Sequence, residues 1–379
     1  MPIQYLSRSS IRGKRVLVRV DFNVPVVQGS VHGDFRIRAH IPTIRALRRR
    51  GNSVILLSHH SNTAQSLRPM AKALGTFLRV PVVFVANPLA KNRKFVPPST
   101  VVLIENLRRW KGEEALDMSF ARSLADWGDV FLNDAFSVAH RRAASTVLLP
   151  RLLPAFLGPL FSHELEELDH VMRRPRRPLV AIFGGAKTET KLPLLRRFSR
   201  LADSLIVGGA IANTVLVSQG SGVGASKVDT AALRSLKSLA RSRNIIVPVD
   251  AVVSNSDHTS RARIIPVWDV SRGDTIWDVG PASSRLYRAL VMNARTIVWN
   301  GPLGLVEHAS FQGGTRALAQ SLRRSRAKVI IGGGDTVAFL ESIHMLEKFK
   351  HVSTGGGAML AYLGGEKLPG LEALRQSKI

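Results

Sequence analysis

The chain of 379 residues contains no cysteine. Disulfide bonds, thiolate catalysis and cysteine-ligated metal sites are therefore excluded. Aromatic residues make up only 6% of the chain, and no basic tail or basic patch with interleaved aromatics is visible. The most apolar long stretch, residues 146–161, contains Arg151 and three prolines, so it is too short and too broken to span a bilayer.

Acidic residues are also scarce, since 27 Asp and Glu stand against 54 Lys and Arg, which gives a formal net charge of +27. Such a field attracts phosphorylated metabolites, nucleic acid and anionic membranes alike. The excess lies in short clusters such as Arg48 to Arg50 and Arg173 to Arg177, so a solvated, arginine-rich surface is the favoured interpretation. Residues 1–4 show no apolar signal core, and we expect a cytoplasmic protein.

Several standard motifs are missing. No Walker-type phosphate loop and no nucleophile elbow is present. The segment with Gly220, Gly222 and Gly224 does not match the dinucleotide fingerprint, because it has no glycine at the third glycine position of that pattern. His163 and Glu164 are followed by Glu167 where a zinc-binding helix needs its second histidine, and the eleven histidines show no metal-ligand spacing. An enzyme that handles phosphate without a Walker loop belongs to a shorter list of families.

Six short apolar runs in the second half each end in a glycine-rich turn, and this is the most informative feature of the chain. The runs are residues 179–183, 205–207, 276–279, 297–299, 329–331 and 351–354. They predict parallel strands whose ends let the backbone approach a ligand. Glycines with free N–H groups at helix starts suit phosphate. Six such turns favour a phosphate ligand over the alternative that the glycines only form tight turns between strands and helices.

The first half also alternates strands and helices. The predicted strands are residues 16–20, 54–57, 82–85, 101–104 and 130–132, and the predicted helices are residues 41–50, 67–78 and a helix capped by Asp117 through residue 125. An amphipathic helix with acidic residues in its first turn is expected from Ser162. The alternation predicts an α/β fold with two doubly wound parallel-sheet domains, and the junction is placed at Arg173 to Pro178.

Polar side chains follow the strands of the first half, at what must be one edge of the sheet. These groups are Asp21 and Asn23, Ser58 and His59, Glu105 to Arg108, Asn133 and Asp134, and His140 and Arg141, with Arg36 before the first helix. A lone arginine in a loop is usually a solvated charge. Arginine and histidine that recur after successive parallel strands instead favour a site for a small polyanion.

These segments closely resemble the phosphoglycerate kinases over nearly the whole chain. The matching segments are Asp21, Phe22 and Asn23 with Arg36; Ala139 to Arg141; Gly184 to Lys187 with Lys191; Trp299 to Pro302 with Glu307; Gly332 to Thr336; and Ser353 to Gly357. Each segment alone is a weak signal, but their occurrence together and in order is highly specific.

The resemblance implies two similar-sized, Rossmann-like domains facing each other across a cleft. Residues 1–160 would bind phosphoglycerate, residues 161–174 would form a hinge helix, residues 175–360 would bind the Mg-nucleotide, and residues 361–379 would return to the N-terminal domain. The implied reaction is the reversible, glycolytic transfer of a phosphoryl group from 1,3-bisphosphoglycerate to ADP, giving 3-phosphoglycerate and ATP. A monomer is implied, with small-molecule substrates and no membrane.

The resemblance also implies roles for individual residues. The catalytic set is Arg36, Lys187, Lys191, Gly355 and Gly356. The phosphoglycerate-binding set is Asp21, Phe22, Asn23, Arg36, His59, His60, Ser61, Asn62, Arg108, His140 and Arg141. The nucleotide-binding set is Lys187, Lys191, Gly208, Gly209, Asn300, Pro302, Glu307, Gly332, Gly333, Gly334, Asp335 and Thr336. Asp335 would hold the Mg²⁺ that accompanies ATP or ADP, and Glu307 would bind the ribose.

Some positions depart from the family pattern. The loop after Ser58-His59 usually continues Leu-Gly-Arg-Pro, but here Asn62 replaces the phosphate-binding arginine, with His60 and Arg68 as candidates to compensate. We expect Asn62→Arg to lower the KM for 3-phosphoglycerate. The other departures are Ser137 and Val138 for Gly-Thr, Ala143 and Thr190 at positions where many relatives have other residues, and Ala210, which is expected to crowd the nucleotide.

The charge of +27 motivates an alternative, because the site explains only a few of the cations. In that alternative, a protein with the same fold has weakened catalytic turnover and acts mainly by binding polyanions or RNA through its basic surface. Nucleic-acid binding would show a steep loss of affinity with salt. Retention of Arg36, Lys191 and Asp335 favours the kinase.

Overall fold

The structure is a computed structural model that describes residues 11–89, 96–256 and 261–377. It divides into two units, one formed by Met1–Glu166 with Lys367–Ile379 and the other by Glu167–Glu366. The predicted absence of a signal core concerns residues 1–4, which lie outside the described residues. In the described part of the chain, no helix combines the length and apolar character needed to cross a membrane.

The first unit is built on a parallel sheet of six strands in the order β5-β6-β4-β1-β7-β8, with a short β2-β3 hairpin beside it. The strands are β1 (Arg15–Arg19), β2 (Val26–Val27), β3 (Ser30–Val31), β4 (Ser53–Leu57), β5 (Val82–Val85), β6 (Val101–Ile104), β7 (Val130–Asn133) and β8 (Ala155–Leu157). All five residues of β4 are buried, as expected for a central strand covered on both faces. The strand β8 and the hairpin were not predicted.

Six helices in the described residues lie between these strands or directly after them in the sequence. They are α1 (Phe35–Arg48), α2 (Arg68–Leu78), α3 (Lys111–Glu114), α4 (Met118–Ala125), α5 (Leu149–Leu152) and α6 (Pro159–Arg173). The predicted cap of α4 is confirmed, because Asp117 accepts hydrogen bonds from the Ser119 and Phe120 N–H groups.

Two helix starts were predicted too late. The helix α1 begins at Phe35 rather than at residue 41 and contains Pro42, because the buried face of Ile37, Ile41 and Ile44 stabilises it despite the missing N–H. The helix α6 begins at Pro159 rather than Ser162, so its first turn contains no acidic residue.

The second unit has a parallel sheet in the order β11-β10-β9-β15-β16-β17 and an antiparallel sheet in the order β13-β12-β14. The strands are β9 (Leu179–Phe183), β10 (Ser204–Val207), β11 (Ile245–Ile246), β12 (Asp250–Ser254), β13 (Arg263–Pro266), β14 (Thr275–Val279), β15 (Thr296–Asn300), β16 (Lys328–Gly332) and β17 (His351–Val352). Five of the six glycine-terminated runs form parallel strands as predicted. The run at residues 276–279 is the exception, because β14 pairs antiparallel with β12.

The helices of the second unit are α7 (Leu192–Leu201), α8 (Gly209–Ser218), α9 (Thr230–Leu236), α10 (Pro281–Asn293), α11 (Gly313–Arg324), α12 (Gly334–Ser342) and α13 (Gly357–Gly364). The last helix of the chain, α14 (Pro369–Arg375), belongs to the first unit, where the Gly370 N–H donates to the Ala139 carbonyl (2.9 Å). The parallel strands carry their following glycine turns to one edge of the sheet, which is where open α/β sheets bind ligands.

Candidate functional site

The first unit contains a cationic cavity of about 260 Å³ at the carboxyl edge of its sheet. Its basic lining residues are Arg19, His59, Arg108, Arg141 and Arg142. Parallel strands end at the same edge, so β1, β4 and β6 bring residues that are far apart in the sequence to one place. The structure thus brings together His59, Arg108 and Arg141 as predicted.

Arg19, which was not predicted as a site residue, is buried in the wall of this cavity. Its guanidinium donates to the Ser145 hydroxyl (3.0 Å) and lies 3.2 Å from His59 Nδ1. Because a guanidinium only donates, His59 Nδ1 is the acceptor and the proton of the neutral ring lies on Nε2. Burial and the charge of Arg19 hold the pKa of His59 well below its usual value, so His59 is a neutral donor.

Glu113 supports Arg19 from a fully buried position. Its carboxylate accepts hydrogen bonds from the Ser145 hydroxyl (2.5 Å) and the Ser145 N–H (3.0 Å). Burial raises the pKa of Glu113, and the positive charge of Arg19 opposes that rise. The pair of buried opposite charges therefore fixes the Arg19 side chain that orients His59.

Arg36 is held beside the cavity residues by Asp21. Its Nη1 donates to Asp21 Oδ2 (3.0 Å) and to the Asn23 carbonyl (3.3 Å). Burial by itself would raise the pKa of Asp21, but the charge of Arg36, with hydrogen bonds to the carboxylate, outweighs it and lowers the pKa to about 2. Asp21 is therefore ionised at all ordinary pH values and positions a guanidinium that is 26% exposed.

A buried histidine, His40, connects this site to the start of α6. The Asp21 N–H donates to His40 Nε2 (3.0 Å), so the ring proton is on Nδ1 and points to Asp134 Oδ2 (2.9 Å). The other Asp134 oxygen accepts the Leu160 N–H (2.9 Å) in the first turn of α6. Neither His40 nor this role of Asp134 was predicted, because the isolated histidine on a helix face carried no motif.

The loop after β4 is bound to the protein itself. His60 Nδ1 accepts the Asn62 N–H (3.1 Å), so His60 Nε2–H donates to the Val24 carbonyl (3.2 Å). The Ser61 N–H donates to Asn23 Oδ1 (2.9 Å), and the Asn62 side chain accepts the Ala64 N–H (2.9 Å). The structure thus uses the polar groups of His60 and Asn62 within the loop.

Three other predicted residues, Phe22, Arg108 and His140, lie in three different environments. The Phe22 side chain is fully buried in the hydrophobic core, against His40, and its assignment to the phosphoglycerate site stays a prediction. Arg108 pairs with Glu114 (3.3 Å), and burial with the charge of Arg141 lowers the pKa of Arg108. Burial, followed by the charge of Arg141, also lowers the pKa of His140.

The second unit contains a larger pocket of about 420 Å³ on the carboxyl edge of its own parallel sheet. The predicted residues among its lining are Gly209, Pro302, Glu307 and Asp335. Much of the remaining wall is apolar or small, including Ala186, Ala212, Ile276, Trp277, Val279, Leu303 and Leu305. A mostly apolar pocket of this size with few polar groups is typical of a small-molecule or cofactor site.

Lys191 lies beneath the glycine turns at the edge of this pocket. Its ammonium donates to the Gly184 carbonyl and its side chain is buried, whereas Lys187 is exposed. Burial lowers the pKa of Lys191 to about 8, and the nearby carboxylate of Asp335 opposes that shift. The Gly301 backbone comes so close that a Cβ there would lie 2.8 Å from Lys191 Nζ.

Not every glycine turn offers free N–H groups, which corrects the expectation drawn from the six turns. Gly208 donates to Phe183 (3.0 Å) and Gly209 to Leu303 (2.9 Å). The start of α10 is occupied by the Asp250 carboxylate, which accepts the Ala282 N–H (2.8 Å). A glycine turn in the sequence therefore does not by itself distinguish a ligand site from an internal contact.

Two of the glycine turns do lead into helices with suitable N-termini. The helices α12 and α13 begin at Gly334 and Gly357, and the first amides of a helix have no partner within it. The Gly355 N–H is bonded to the Ser353 hydroxyl (3.0 Å), which removes it from the predicted set of free donors. These helix starts remain candidates for phosphate.

Asn300 is the last residue of β15, and Thr336 lies in the first turn of α12. The Thr336 hydroxyl accepts the Gly301 N–H (2.8 Å) and so holds the turn rather than facing solvent. Asn300 is buried, and its Nδ2 has no hydrogen-bond partner within the described residues. A Cβ at Gly333 would lie 2.9 Å from that nitrogen, which shows how closely the turn after β16 approaches Asn300.

A protein-only metal site is not found in the described residues, where no cluster of three or more histidines, aspartates and glutamates could hold an ion. Asp335 is an exposed carboxylate in the first turn of α12 and lines the pocket. One carboxylate is what magnesium requires when phosphate oxygens and waters supply its other ligands.

Comparisons with known proteins agree with this arrangement. A sequence profile described as phosphoglycerate kinase matches residues 6–366. The phosphoglycerate kinase of Azorhizobium caulinodans is 41% identical over 394 residues and covers 98% of each chain, and that of Methylorubrum extorquens is 42% identical with 96% coverage of each. The solved phosphoglycerate kinase from Coxiella burnetii matches with a TM-score of 0.87 at 37% identity, and that from Pyrococcus horikoshii with 0.89 at 28%. These structures cover 100% and 99% of this chain and the same shares of their own.

Proposed function

The chain belongs to the phosphoglycerate kinase family and transfers a phosphoryl group between 1,3-bisphosphoglycerate and ADP in glycolysis, and we propose that its two units divide the binding of the substrates between them. The relatives give no support to the RNA-binding alternative. Residues 1–160 would hold the phosphoglycerate and residues 175–360 the nucleotide. A hinge within residues 161–174 and a return of residues 361–379 to the first domain complete the proposed organisation.

The phosphoglycerate would bind in the first unit. The cavity lined by His59, Arg108 and Arg141 suits its phosphate, because guanidinium groups bind phosphate through paired, charge-assisted hydrogen bonds. Asp21 and Asn23 would orient the hydroxyl group of the phosphoglycerate, and Asn23 would also hold the loop that carries Ser61. His140 would act with Arg141, although it lies outside the lining of the cavity.

The nucleotide would bind in the second unit. The apolar pocket of about 420 Å³ suits the base, and Glu307 at its wall suits the ribose hydroxyls. Ala210 lines the same pocket, where it would narrow the space for the nucleotide. The amides that open α12 and α13 would bind phosphate oxygens, and Asp335 would hold the magnesium ion that neutralises phosphate charge.

The chemistry needs positive charge rather than a base. The attacking oxygen is a carboxylate or a nucleotide phosphate, and both are anionic at neutral pH, so no proton has to be removed. Charge develops on the oxygens of the transferring group, and donors fixed in advance stabilise it. Arg36, which Asp21 fixes, and Lys191, which the Gly184 carbonyl fixes, are the proposed donors, with Lys187 and the amides at Gly356 as further donors.

The observation that carries this proposal is the ionised Asp21 that holds Arg36 beside a cavity of guanidinium groups. A coupled assay of ATP-dependent consumption of 3-phosphoglycerate tests it. The wild type should turn over, and Arg36→Ala should be severely impaired. Absence of turnover by a folded wild type would contradict the proposed function. We also propose that the protein acts in the cytoplasm, where glycolysis supplies its substrates, and that it is a monomer.

A further inference from the structure

We propose that Arg142 is a substrate-binding residue that supplies to the phosphate of phosphoglycerate the cation that the loop after β4 lacks. The inference rests on the proposed function and adds one residue to it. Arg142 lines the same cavity of about 260 Å³ as Arg19, Arg108 and Arg141, and its side chain is exposed.

The loop after β4 provides no cation to this cavity. Asn62 carries no charge, does not line the cavity and caps the Ala64 N–H with its side chain (2.9 Å). Both ring nitrogens of His60 are bonded within the loop and to Val24. The Arg68 guanidinium lies over the Phe84 ring, 4.7 Å from its centroid, so Arg68 does not replace the missing charge either.

The other arginines of the cavity are partly engaged by the protein. Arg19 is buried and bonded to Ser145 and His59, and Arg108 pairs with Glu114. In contrast, the guanidinium groups of Arg141 and Arg142 make no hydrogen bond or ion pair with the described residues. Neither of these two adjacent arginines is paired with a carboxylate of the protein. Both guanidinium groups therefore remain available to bind an anionic ligand in the cavity.

The charge balance of the cavity also calls for Arg142. Two carboxylates, Glu113 and Glu114, line it together with the cations, and a phosphate monoester brings close to two further negative charges. Burial and, after it, the positive charge of Arg141 lower the pKa of Arg108, so the two neighbouring cations repel one another. A bound phosphate would relieve this repulsion and would be shared by Arg108, Arg141 and Arg142.

The test compares Arg142→Ala, Arg142→Lys and a matched control, Arg122→Ala, which removes an exposed arginine of α4 outside the cavity lining. Calorimetric titration with 3-phosphoglycerate gives Kd, and the coupled assay gives KM and kcat. We expect Arg142→Ala to raise Kd and KM about tenfold to a hundredfold with little change in kcat, as for the loss of one charge-assisted hydrogen bond. Arg142→Lys should lose less, because it keeps the charge but not the paired donors.

A second variant tests the replacement itself. In an Arg142→Ala background, Asn62→Arg should recover part of the lost affinity, since either side chain would bring a cation to the same phosphate. No recovery would overturn the assignment of Arg142 as the substitute for residue 62. Circular dichroism checks that each variant is folded. If Arg142→Ala does not fold, the affinity of Arg142→Lys for 3-phosphoglycerate provides the test.

The outcomes separate this inference from the proposed function. If the wild type binds and converts 3-phosphoglycerate but Arg142→Ala matches Arg122→Ala, the role of Arg142 is wrong and the kinase stands. If the folded wild type neither binds nor converts 3-phosphoglycerate, the proposed function and the role of Arg142 both fail.

Discussion

The two units present their binding groups in different ways. In the first unit the cavity is lined by charged side chains, among them Arg19, which Ser145 holds in place, Arg108, which pairs with Glu114, and Arg141. In the second unit the pocket is mostly apolar, and its candidate phosphate donors are backbone amides at the starts of α12 and α13.

This difference suits the ligand proposed for each unit. A small polyanion offers little surface besides its charges, so side chains must surround it. A nucleotide also has an apolar base and several phosphates in a row, which a pocket wall and helix N-termini accommodate. Substitutions of side chains should therefore dominate in the first unit, and substitutions that alter the backbone should dominate in the second.

The largest expected effect comes from Arg36→Ala in the first unit. We expect kcat to fall about 10²- to 10³-fold, because a fixed donor to the developing charge is lost. Affinity for ATP should be unchanged, since the proposed nucleotide site belongs to the second unit. Steady-state kinetics with nucleotide titrations checks both.

Arg38→Ala is the matched control for Arg36→Ala, because Arg38 lies two residues away, pairs with Asp34 (2.8 Å) and is 63% exposed. A fall in kcat as large in Arg38→Ala as in Arg36→Ala would contradict the special position of Arg36.

A backbone substitution should have the next largest effect, and it should act on the nucleotide. At Gly301, φ is +94° and a Cβ would clash with the Gly184 carbonyl and lie 2.8 Å from Lys191 Nζ. We expect Gly301→Ala to lower the free energy of unfolding by about 2–4 kcal/mol and to weaken ATP binding, because the turn must shift. Urea denaturation and ATP titration measure the two effects.

Gly222→Ala is the control for Gly301→Ala, since a Cβ at Gly222 meets nothing within 4 Å. Equal losses of stability in the two variants would show that close packing of the Gly301 turn is not the reason for the effect.

Substitution of His40 should disturb the first unit by a smaller amount. His40→Ala would leave the Asp21 N–H and the Asp134 carboxylate without their partner, and we expect a loss of about 1–3 kcal/mol in the free energy of unfolding with a raised KM for 3-phosphoglycerate. His40→Asn should retain the bond to Asp134 and His40→Gln the bond from Asp21, so each should lose less.

Urea denaturation and KM measurements on these variants test the role of His40, with the exposed His32→Ala as control. If His40→Ala equals His32→Ala in both measurements, the buried connection between the site and α6 has no energetic weight.

The smallest expected effect is a pH dependence in the second unit. Burial lowers the pKa of Lys191 from 10.5 to about 8, so its positive charge is lost as the pH rises through that value. We expect kcat/KM for ATP to fall about tenfold per pH unit above pH 8, because this parameter reports groups of the free enzyme. A profile that stays flat to pH 9.5 would contradict the assignment.

The stability of the fold should change in the opposite direction over this pH range. The unfolded chain binds the Lys191 proton more tightly than the folded chain does, so the contribution of Lys191 to the free energy of unfolding increases from pH 8 towards pH 10.5. Unfolding measured at pH 8 and 9 therefore distinguishes loss of the proposed catalytic charge of Lys191 from loss of structure caused by this group.

The sequence was informative where a local pattern has a single structural meaning. The apolar runs at residues 82–85, 101–104 and 179–183 are strands with the predicted bounds, and Asp117 caps its helix as predicted. The run at residues 276–279 was predicted as a parallel strand but pairs antiparallel, because periodicity shows that a strand is buried and not which strand lies beside it or in which direction.

The same limit explains the residues of the site that were missed. Arg19 looks like an interruption in an apolar strand, and His40 looks like a polar residue on a helix face. Their partners are Ser145 and Asp134, which lie 126 and 94 residues away in the sequence. No local pattern contains such a pair.

The chain by itself determined the α/β class, the phosphate chemistry and the family, because strand periodicity, glycine turns and ordered motifs are local properties of the sequence. Only the tertiary structure decided which glycine amides stay available, which arginines share one cavity and which carboxylates hold them. Those outcomes depend on contacts between residues remote in sequence, and on the burial that shifts the pKa values of Asp21 and Lys191.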